Sequence, residues 1–274
     1  MNSWGTAVVL GIVEGLTEFL PVSSTGHLII AGHLMGFVGE DASSFHVAIQ
    51  LGAILSVVFL YWHRFLGLIP RNARSPVYSV SSLEGWSGLW RLALATLPAL
   101  VVAYAARHAI KGKLFNPEAV TWALVVGGVV ILLVERMKET RRSTPLDSLT
   151  LAQALGIGLF QIFALWPGTS RAAATIIGGM LLGLDRKSAA EFSFLVAVPV
   201  LLVASGYELI QMYNHLTFES LVTLAIGFVV SFVVAVIAVK GFVAFLGRGR
   251  LAPFAWYRIV AAPIFYYLTR GVSL

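Results

Sequence analysis

The chain has 274 residues, of which 58% are hydrophobic and 12% are charged, and its mean hydropathy is +0.86. Soluble domains carry about 25% charged residues, so a water-soluble globule of this size would lack the side chains to cover its surface. The sequence has no cysteine, which excludes disulfides, thiolate metal sites and a cysteine nucleophile. The net charge of +6 does not indicate nucleic-acid binding, because the basic residues lie in short runs between apolar segments. We therefore expect an all-α, multi-pass membrane protein.

Six apolar stretches are long enough to cross a bilayer as helices, since a span takes about 17–25 residues. They are 45–62, 90–106, 118–135, 190–212, 218–239 and 252–270. Two further apolar regions, 4–36 and 151–184, are each interrupted by a proline and polar residues. Such an interruption is typical of a re-entrant helix-loop-helix segment, which is tolerated at membrane depth when protein or a water-filled cavity surrounds it.

The distribution of basic residues predicts the orientation of the chain in the membrane. Segment 136–150 is placed in the cytoplasm by the positive-inside rule, because it holds Arg136, Lys138, Arg141 and Arg142. Counting spans in both directions then places 63–89, 185–189 and 240–251 inside, and 37–44, 107–117 and both chain ends outside. This count requires region 4–36 to enter and leave on the outer side, and region 151–184 on the cytoplasmic side.

The two halves have the same order of elements in opposite orientations, an interrupted segment followed by three spans. We assign repeat 1 to about residues 1–140 and repeat 2 to about 151–274, within a single membrane domain. An alignment that pairs Pro21 with Pro167 gives four identities in twelve positions. In inverted-repeat folds of this kind, the paired interrupted segments indicate the binding site.

Two carboxylates lie inside the first interrupted region. Glu14 and Glu18 are four residues apart, so on a helix they project from one face. Two like charges in apolar surroundings repel each other unless a cation lies beside them. Mg²⁺ or Ca²⁺ meets this need, since both take carboxylate oxygens and accept water and phosphate as further ligands. The alternative is an ion-pair cluster with Arg171 that only stabilises the fold.

Hydroxyls and a histidine follow Pro21 in the run Ser23-Ser24-Thr25-Gly26-His27. Such groups near a new helix N-terminus form an anion site through hydrogen bonds and the helix dipole. Beside two carboxylates and a serine, His27 is a candidate base or nucleophile. The alternatives are simple N-capping by one hydroxyl and a structural role for His27.

The second interrupted region repeats this arrangement as Gly168-Thr169-Ser170-Arg171, with Thr175 one helical turn further on. Arginine binds phosphate through a planar fork of donors and stays charged, so Arg171 is the expected counter-ion of a diphosphate. Gln50 and Gln161 either contact the substrate or form hydrogen bonds between helices. We expect Arg258 to extend its charged head toward the cytoplasmic interface.

These groups together form a set for phosphoryl transfer, with carboxylates for a metal or base, hydroxyls and an imidazole for attack and proton transfer, and a guanidinium for phosphate. The sequence has no GxxxxGK[ST] loop, so ATP and GTP are not expected. A phosphate site within lipid indicates an amphiphilic substrate with a phosphate head and a hydrocarbon tail. A transporter or flippase for such a lipid is the main alternative, because inverted repeats with broken helices are typical of transporters.

Three runs resemble the undecaprenyl-diphosphate phosphatase family, the membrane enzymes associated with bacitracin resistance. They are EGLTEFLPVSSTGH from Glu14 to His27, QLGAIL from Gln50 to Leu55 and LWPGTSRAAAT from Leu165 to Thr175. The resemblance covers nearly the whole chain. It implies hydrolysis of undecaprenyl diphosphate to undecaprenyl phosphate in the bacterial inner membrane, with the active site facing the periplasm. This step recycles the lipid carrier for peptidoglycan synthesis, and with it cell wall biogenesis and cell shape, and it confers bacitracin resistance.

From the residues and the resemblance, we predict a catalytic set, a metal site and a set of substrate contacts. The predicted catalytic residues are Glu14, Glu18, Ser24, His27 and Arg171, and the two glutamates hold Mg²⁺ or Ca²⁺. The predicted substrate contacts are Ser23, Thr25, Gln50, Gly168, Thr169, Ser170 and Thr175. We favour Ser24 as the nucleophile, with His27 or Glu18 assisting, over direct attack by His27.

One departure from the family pattern follows Arg171. Many relatives read SRSGAT or SRSGST, whereas this chain has alanine at Ala172 and Ala173, so those two positions are not expected to act directly. The expected partners are a polyprenyl diphosphate and membrane lipids, without nucleic acid or nucleotide. The sequence leaves a homodimer open.

Overall fold

The computed structural model describes residues 3–37, 40–70, 81–114, 116–137, 143–212 and 218–270. Within these ranges the regular structure is helical, apart from an isolated bridge between Thr144 and Leu184. The predicted all-α class is therefore confirmed. The helices in chain order are α1 Ser3–Thr17, α2 Ser24–Leu34, α3 Glu40–Leu60, α4 Trp62–Gly67, α5 Gly85–Leu114, α6 Pro117–Arg136, α7 Leu151–Gln161, α8 Arg171–Leu181, α9 Arg186–Met212, α10 Phe218–Leu246 and α11 Ala252–Thr269.

Four of the described helices are long and apolar enough to cross a membrane: Gly85–Ile110, Pro117–Arg136, Arg186–Tyr207 and Leu221–Leu246. They confirm a multi-pass membrane protein. The described apolar part of α3 is the shorter stretch Phe45–Leu60, and α11 has 18 residues. The count of six full spans stays a prediction.

Both interrupted apolar regions contain a non-helical turn, as predicted. Residues 18–23 separate α1 from α2, and residues 162–170, which begin with a single 3₁₀ turn, separate α7 from α8. Each second helix follows a serine with a positive φ, 74° at Ser23 and 72° at Ser170. A non-glycine residue in this region of the backbone map is strained, so the two turns share an uncommon backbone conformation.

The equivalence of Ser23 and Ser170 corrects our alignment of the two halves. It pairs Ser24 with Arg171, the first residues of α2 and α8, whereas the alignment through the prolines paired Ser24 with Ser170. In the new register, segments 22–34 and 169–181 share five identities in thirteen positions. The two alignments differ by one residue because the second turn has an additional residue between its proline and Ser170.

The helices pack so that the first turn shares one apolar core with α8, α9 and α11. The core contains Phe19 of the first turn, Ala172 of α8, Phe194 of α9 and Ala255 of α11. Extensive contacts join α3 and α1 to α10, α6 to α11, and α7 to both α5 and α8. Residues far apart in sequence, at positions 18–24 and 168–171, are thereby brought to one place inside the bundle.

Several predicted loops are partly helical. Helix α5 continues to Leu114 and covers most of 107–117, α10 continues to Leu246, and α3 already begins at Glu40. Helices extend past the hydrocarbon core because their hydrogen bonds lie within the segment and persist in water. Residues 71–80 and 138–142, which carry part of the basic clusters used for orientation, lie outside the described residues.

Candidate active site

Glu18 connects the two interrupted regions. Its side chain is buried in the turn after α1, and Oε2 accepts a hydrogen bond of 2.6 Å from Oγ of Ser24. Its Oε1 lies 3.5 Å from Nη2 of Arg171, and both side chains of this ion pair are buried. Ser24 and Arg171 are the first residues of α2 and α8, so two helix N-termini converge on one carboxylate. Both ends carry the partial positive charge of a helix dipole, which favours an anion between them.

Glu14 lies one helical turn before Glu18 and is 1% exposed. Neither of its carboxylate oxygens has a hydrogen-bond partner among the described residues. A buried carboxylate without a partner is costly, so this site fits a bound cation. No group of three or more His, Cys, Asp or Glu side chains that could hold a metal occurs in the described part of the chain. A hard cation at Glu14 and Glu18 would therefore complete its coordination with water and phosphate oxygens.

Helix α9 holds the Arg171 guanidinium through Ser193. Its Nη1 donates a hydrogen bond of 2.9 Å to the carbonyl oxygen of Ser193, whose Oγ is 2.6 Å from Oγ1 of Thr175. Its Nε and Nη2 are buried and have no hydrogen-bond partner among the described residues. The guanidinium is thus held by Ser193 through Nη1 and paired with Glu18 through Nη2, and Nε is the donor left for an anion.

His27 lies in the first turns of α2, and both of its ring nitrogens have partners. Nδ1 is 2.7 Å from the carbonyl oxygen of Ser23, and Nε2 is 2.5 Å from the hydroxyl oxygen of Tyr257 in α11. The His27 and Tyr257 rings are nearly parallel, with an interplanar angle of 8°. The Ser24 side chain donates to Glu18, so the serine and the histidine belong to two adjacent hydrogen-bonded groups.

The predicted substrate contacts lie in different environments. Ser170 caps α8, because its Oγ accepts a hydrogen bond of 3.2 Å from the amide of Ala173, whereas Ser23 makes no such side-chain cap on α2. The first amides of α2 are therefore left without a serine cap, which suits an anion. Thr25 is exposed beside them. Thr175 is fully buried and contacts the backbone of α8, so it lies behind Arg171.

The two glutamines form hydrogen bonds between helices, which was one of the two predicted alternatives. Oε1 of Gln50 accepts a hydrogen bond of 3.0 Å from Ser205. Gln161 is buried and donates a hydrogen bond of 3.0 Å to the carbonyl oxygen of Ala95. These contacts connect α3 with α9, and α7 with α5.

Arg258 does not extend to the interface, and that prediction is wrong. Its side chain is 0% exposed and reaches the two turns and α6. It donates five hydrogen bonds of 2.8–3.3 Å to carbonyl oxygens, which belong to Pro21, Gly168, Thr169, Ala123 and Leu124. The turns leave carbonyl groups without helical partners at membrane depth, and a buried guanidinium is a donor that satisfies several of them at once.

Sequence reasoning also missed Ser193 and Tyr257. Ser193 lies between two phenylalanines in an apolar span, and Tyr257 follows Trp256 in a pattern typical of an aromatic belt. Neither residue is near a motif in the sequence. The available signal was that Tyr257 precedes an arginine inside a predicted span, which by itself indicates a function.

Comparison with known proteins gives one family. The family described as "Bacitracin resistance protein BacA" matches residues 7–264. A relative from Maridesulfovibrio salexigens, named undecaprenyl-diphosphatase, is 55% identical over 265 residues, which cover 96% of this chain and 98% of the relative. A relative of the same name from Nitratidesulfovibrio vulgaris strain DP4 is 54% identical, and the match covers 97% of this chain and 98% of the relative. One from Solidesulfovibrio magneticus is also 54% identical, and the match covers 95% of this chain and 97% of the relative. The match covers both turns and every helix that forms the site, and the chain belongs to the BacA family.

Proposed function

We propose that this protein hydrolyses undecaprenyl diphosphate to undecaprenyl phosphate and inorganic phosphate. The names of its relatives support this substrate. The observation that carries the proposal is the hydrogen bond of 2.6 Å from Oγ of Ser24 to Oε2 of Glu18, with Arg171 on the other carboxylate oxygen. A hydroxyl with its base and a phosphate-binding cation are thereby within one buried cluster.

The terminal phosphate would bind between the N-termini of α2 and α8. The first amides of α2 and Nε of Arg171, which has no hydrogen-bond partner among the described residues, are suited to its oxygens. Preorganised donors of this kind stabilise the charge that develops on phosphorus in the transition state. The hydrocarbon tail would remain in the lipid beside the helices.

In the first step, Ser24 is the nucleophile and Glu18 is its base. The proton of the Ser24 hydroxyl passes to Oε2 of Glu18 while Oγ forms a bond to the terminal phosphorus. The bond between that phosphorus and the bridging oxygen breaks, and undecaprenyl phosphate leaves. The geometry favours Glu18 over His27 as the base for Ser24, because the hydroxyl already donates to Glu18.

In the second step, water attacks the phosphoserine. The bond between Oγ of Ser24 and phosphorus breaks, and Glu18 returns its proton to Oγ. The proton of the attacking water passes to Nε2 of His27, which releases it to solvent after phosphate has left. This assigns the imidazole to hydrolysis of the intermediate and the carboxylate to its formation.

A divalent cation would bind at Glu14 and Glu18, and Mg²⁺ or Ca²⁺ suits these oxygen ligands. The absence of hydrogen-bond partners on the Glu14 carboxylate within the described residues supports this assignment. When bound, the cation neutralises phosphate charge. The two glutamates would hold it, while Arg171 orients the phosphate from the opposite helix.

We further infer the architecture predicted from the sequence, with six full spans, two re-entrant segments and an inverted repeat. The matching turns at Ser23 and Ser170 support the repeat. The charge bias supports an inner-membrane protein whose site faces the periplasm.

The decisive test is phosphate release by the purified protein in detergent, with farnesyl or undecaprenyl diphosphate as substrate. We expect release by the wild-type protein and its loss in Ser24→Ala. Rapid quench with substrate labelled in the terminal phosphate should give an acid-stable phosphoserine. Binding without any release would favour a lipid transporter, and an acid-labile phosphohistidine would transfer the role of nucleophile to His27.

A further inference from the structure

Tyr257 differs from its neighbour Arg258 in its surroundings. Arg258 is fully buried, whereas Tyr257 is 48% exposed, so its ring is not held as a core residue. Its hydroxyl oxygen nevertheless lies 2.5 Å from Nε2 of His27, across 230 residues of sequence. The two rings lie in parallel planes with centroids 5.6 Å apart. An exposed tyrosine with such a specific polar contact does more than fill space.

The partners of His27 determine which nitrogen carries the proton. A carbonyl oxygen only accepts hydrogen bonds, so Nδ1, which is 2.7 Å from the Ser23 carbonyl, must be the protonated nitrogen. In a neutral imidazole Nε2 is then an acceptor, and the Tyr257 hydroxyl must donate to it. The contact with the Ser23 carbonyl therefore fixes the tautomer, and the contact with the Tyr257 hydroxyl fixes the orientation of the ring.

The other partner of His27 belongs to the strained turn at Ser23. Ser23 has a φ of 74° and is buried, and its carbonyl oxygen accepts from His27. Arg258, the residue after Tyr257, donates to the carbonyl oxygen of Pro21 in the same turn. Two successive residues of α11 thus hold the backbone of the first turn and the His27 imidazole of α2 in place.

We propose that Tyr257 is a positioning residue for the reaction. Its hydroxyl holds the His27 ring in one orientation through Nε2, while the Ser23 carbonyl keeps Nδ1 protonated. The hydroxyl leaves Nε2 when the attacking water arrives, and the hydrogen bond from Nδ1 to the Ser23 carbonyl keeps the ring in the orientation that the hydroxyl selected. This proposal rests on the proposed function for the role of His27, and on the described contacts for the tautomer.

The kinetic test compares Tyr257→Phe with wild type. Phenylalanine keeps the ring beside His27 and removes only the hydroxyl. An orienting partner of a functional histidine contributes about 10- to 100-fold, so we expect kcat to fall by about that factor. KM should fall with it and kcat/KM should stay nearly unchanged, because the slowed step follows the departure of undecaprenyl phosphate. Phosphoserine should accumulate in rapid quench, because the second step is slowed. Tyr266→Phe is the matched control, since Tyr266 is on the same helix and 42% exposed, and it should keep the wild-type rate.

A double-variant cycle separates positioning from a structural role. If Tyr257 acts through His27, Tyr257→Phe in a His27→Gln background should cause no further loss. Multiplied losses in the double variant, or an unchanged rate in Tyr257→Phe, would overturn the proposal.

The tautomer has a readout that does not depend on activity. Nitrogen-15 NMR of histidine-labelled protein, with His27 assigned by its substitution, should give one protonated Nδ1 and one unprotonated Nε2 in wild type. Tyr257→Phe should keep the protonated Nδ1 and shift the Nε2 signal, because Nε2 loses its hydrogen-bond donor. An unchanged spectrum overturns the positioning role. If the spectrum changes while His27→Gln keeps full activity, the proposed catalytic role of His27 fails and the positioning contact stands.

Discussion

At the scale of residues, Glu18 has two partners with different roles. One oxygen accepts from the Ser24 hydroxyl and the other faces the Arg171 guanidinium. The guanidinium lowers the free-energy cost of keeping the carboxylate ionised away from water. The same carboxylate is at hydrogen-bond distance from the Ser24 hydroxyl and is its candidate base. The alternative is an ion-pair cluster that only stabilises the fold, and the substitutions below distinguish the two.

Arg171→Lys tests the phosphate contact. Lysine keeps the charge but loses the planar fork that reaches both Ser193 and a phosphate. We expect phosphate release to fall by about 10- to 100-fold, since hydrogen bonds to charged groups contribute about 1.5–3 kcal/mol. Thermal unfolding in detergent checks that the variant is folded. Near-normal turnover in a folded variant would remove Arg171 from the active site.

Glu14→Gln tests the cation. Because both carboxylate oxygens of Glu14 lack protein partners within the described residues, they are the atoms most available to a metal. We expect chelation to abolish hydrolysis in wild type, and Glu14→Gln to raise the metal concentration needed for half-maximal rate. Excess metal should restore much of the activity. Hydrolysis that is indifferent to a chelator would make the two glutamates an acid–base pair or a structural cluster.

At the scale of elements, the connection between the two halves is fixed to the rest of the bundle by an ion pair. Arg64 of α4 and Ser81 both donate to Asp147, which lies in the 3₁₀ turn Leu146–Ser148. The hydrogen bond from Arg64, and then that from Ser81, lower the pKa of Asp147 below its ordinary value of 3.8. These contacts hold α4 against the segment that precedes α7.

Asp147→Asn tests this connection through its pH dependence. A carboxyl group whose pKa is lowered in the folded state stabilises it above the ordinary pKa, and the stabilisation is lost as the pH falls through the lowered value. At pH 7 we therefore expect the variant to melt at a lower temperature than wild type. The difference should shrink once the pH falls below about 4. A difference that is constant over this range would mean that the aspartate charge does not stabilise the connection.

At the scale of the whole molecule, Arg258 joins three parts of the chain. Its five hydrogen bonds connect α11 to α6 and to both turns. The relative position of Ser24 and Arg171 depends on these turns, because each residue directly follows one of them. Arg258 therefore fixes the distance between the two halves of the site.

Arg258→Lys tests this role. Lysine has three donors, so some of the carbonyl oxygens lose their partner, and each such loss costs about 1–3 kcal/mol in the free energy of unfolding. We expect a lower melting temperature together with reduced phosphate release. Arg270→Lys, at the exposed end of the same helix, is the matched control and should melt like wild type. An Arg258→Lys variant with wild-type stability and rate would contradict the role.

The orientation in the membrane can be tested by cysteine labelling, since the chain has no native cysteine. Helix α6 has 20 residues, about 30 Å in length, so Gly112 and Ser148 lie beyond its opposite ends. Both positions are exposed, and a side chain at Gly112 meets nothing within 4 Å. We expect cysteine at 112 to react with a membrane-impermeant thiol reagent in spheroplasts, and cysteine at 148 to be protected. The reverse labelling would place the candidate active site on the cytoplasmic side.

The sequence by itself determined that this protein lies in lipid, and it predicted part of the candidate site. Apolar length, interruption by proline and the clustering of charge are local properties of a chain, so they predicted an all-α membrane protein and the two turns. Glu14, Glu18, Ser24 and Arg171 were found because charged groups and hydroxyl clusters are costly in lipid. The structure brings Ser24 and Arg171 into contact with Glu18, and Glu14 lies one helical turn before Glu18.

Only the tertiary structure decided which groups meet across the bundle. Arg258 reaches carbonyl oxygens about 90 and 237 positions away, and Tyr257 reaches a histidine 230 positions away. A carbonyl oxygen is the same in every residue, so no sequence pattern identifies the ones that the turns leave without helical partners. The register of the two halves was likewise decided by backbone geometry, because the strained serines, and not the prolines, precede the first residues of α2 and α8.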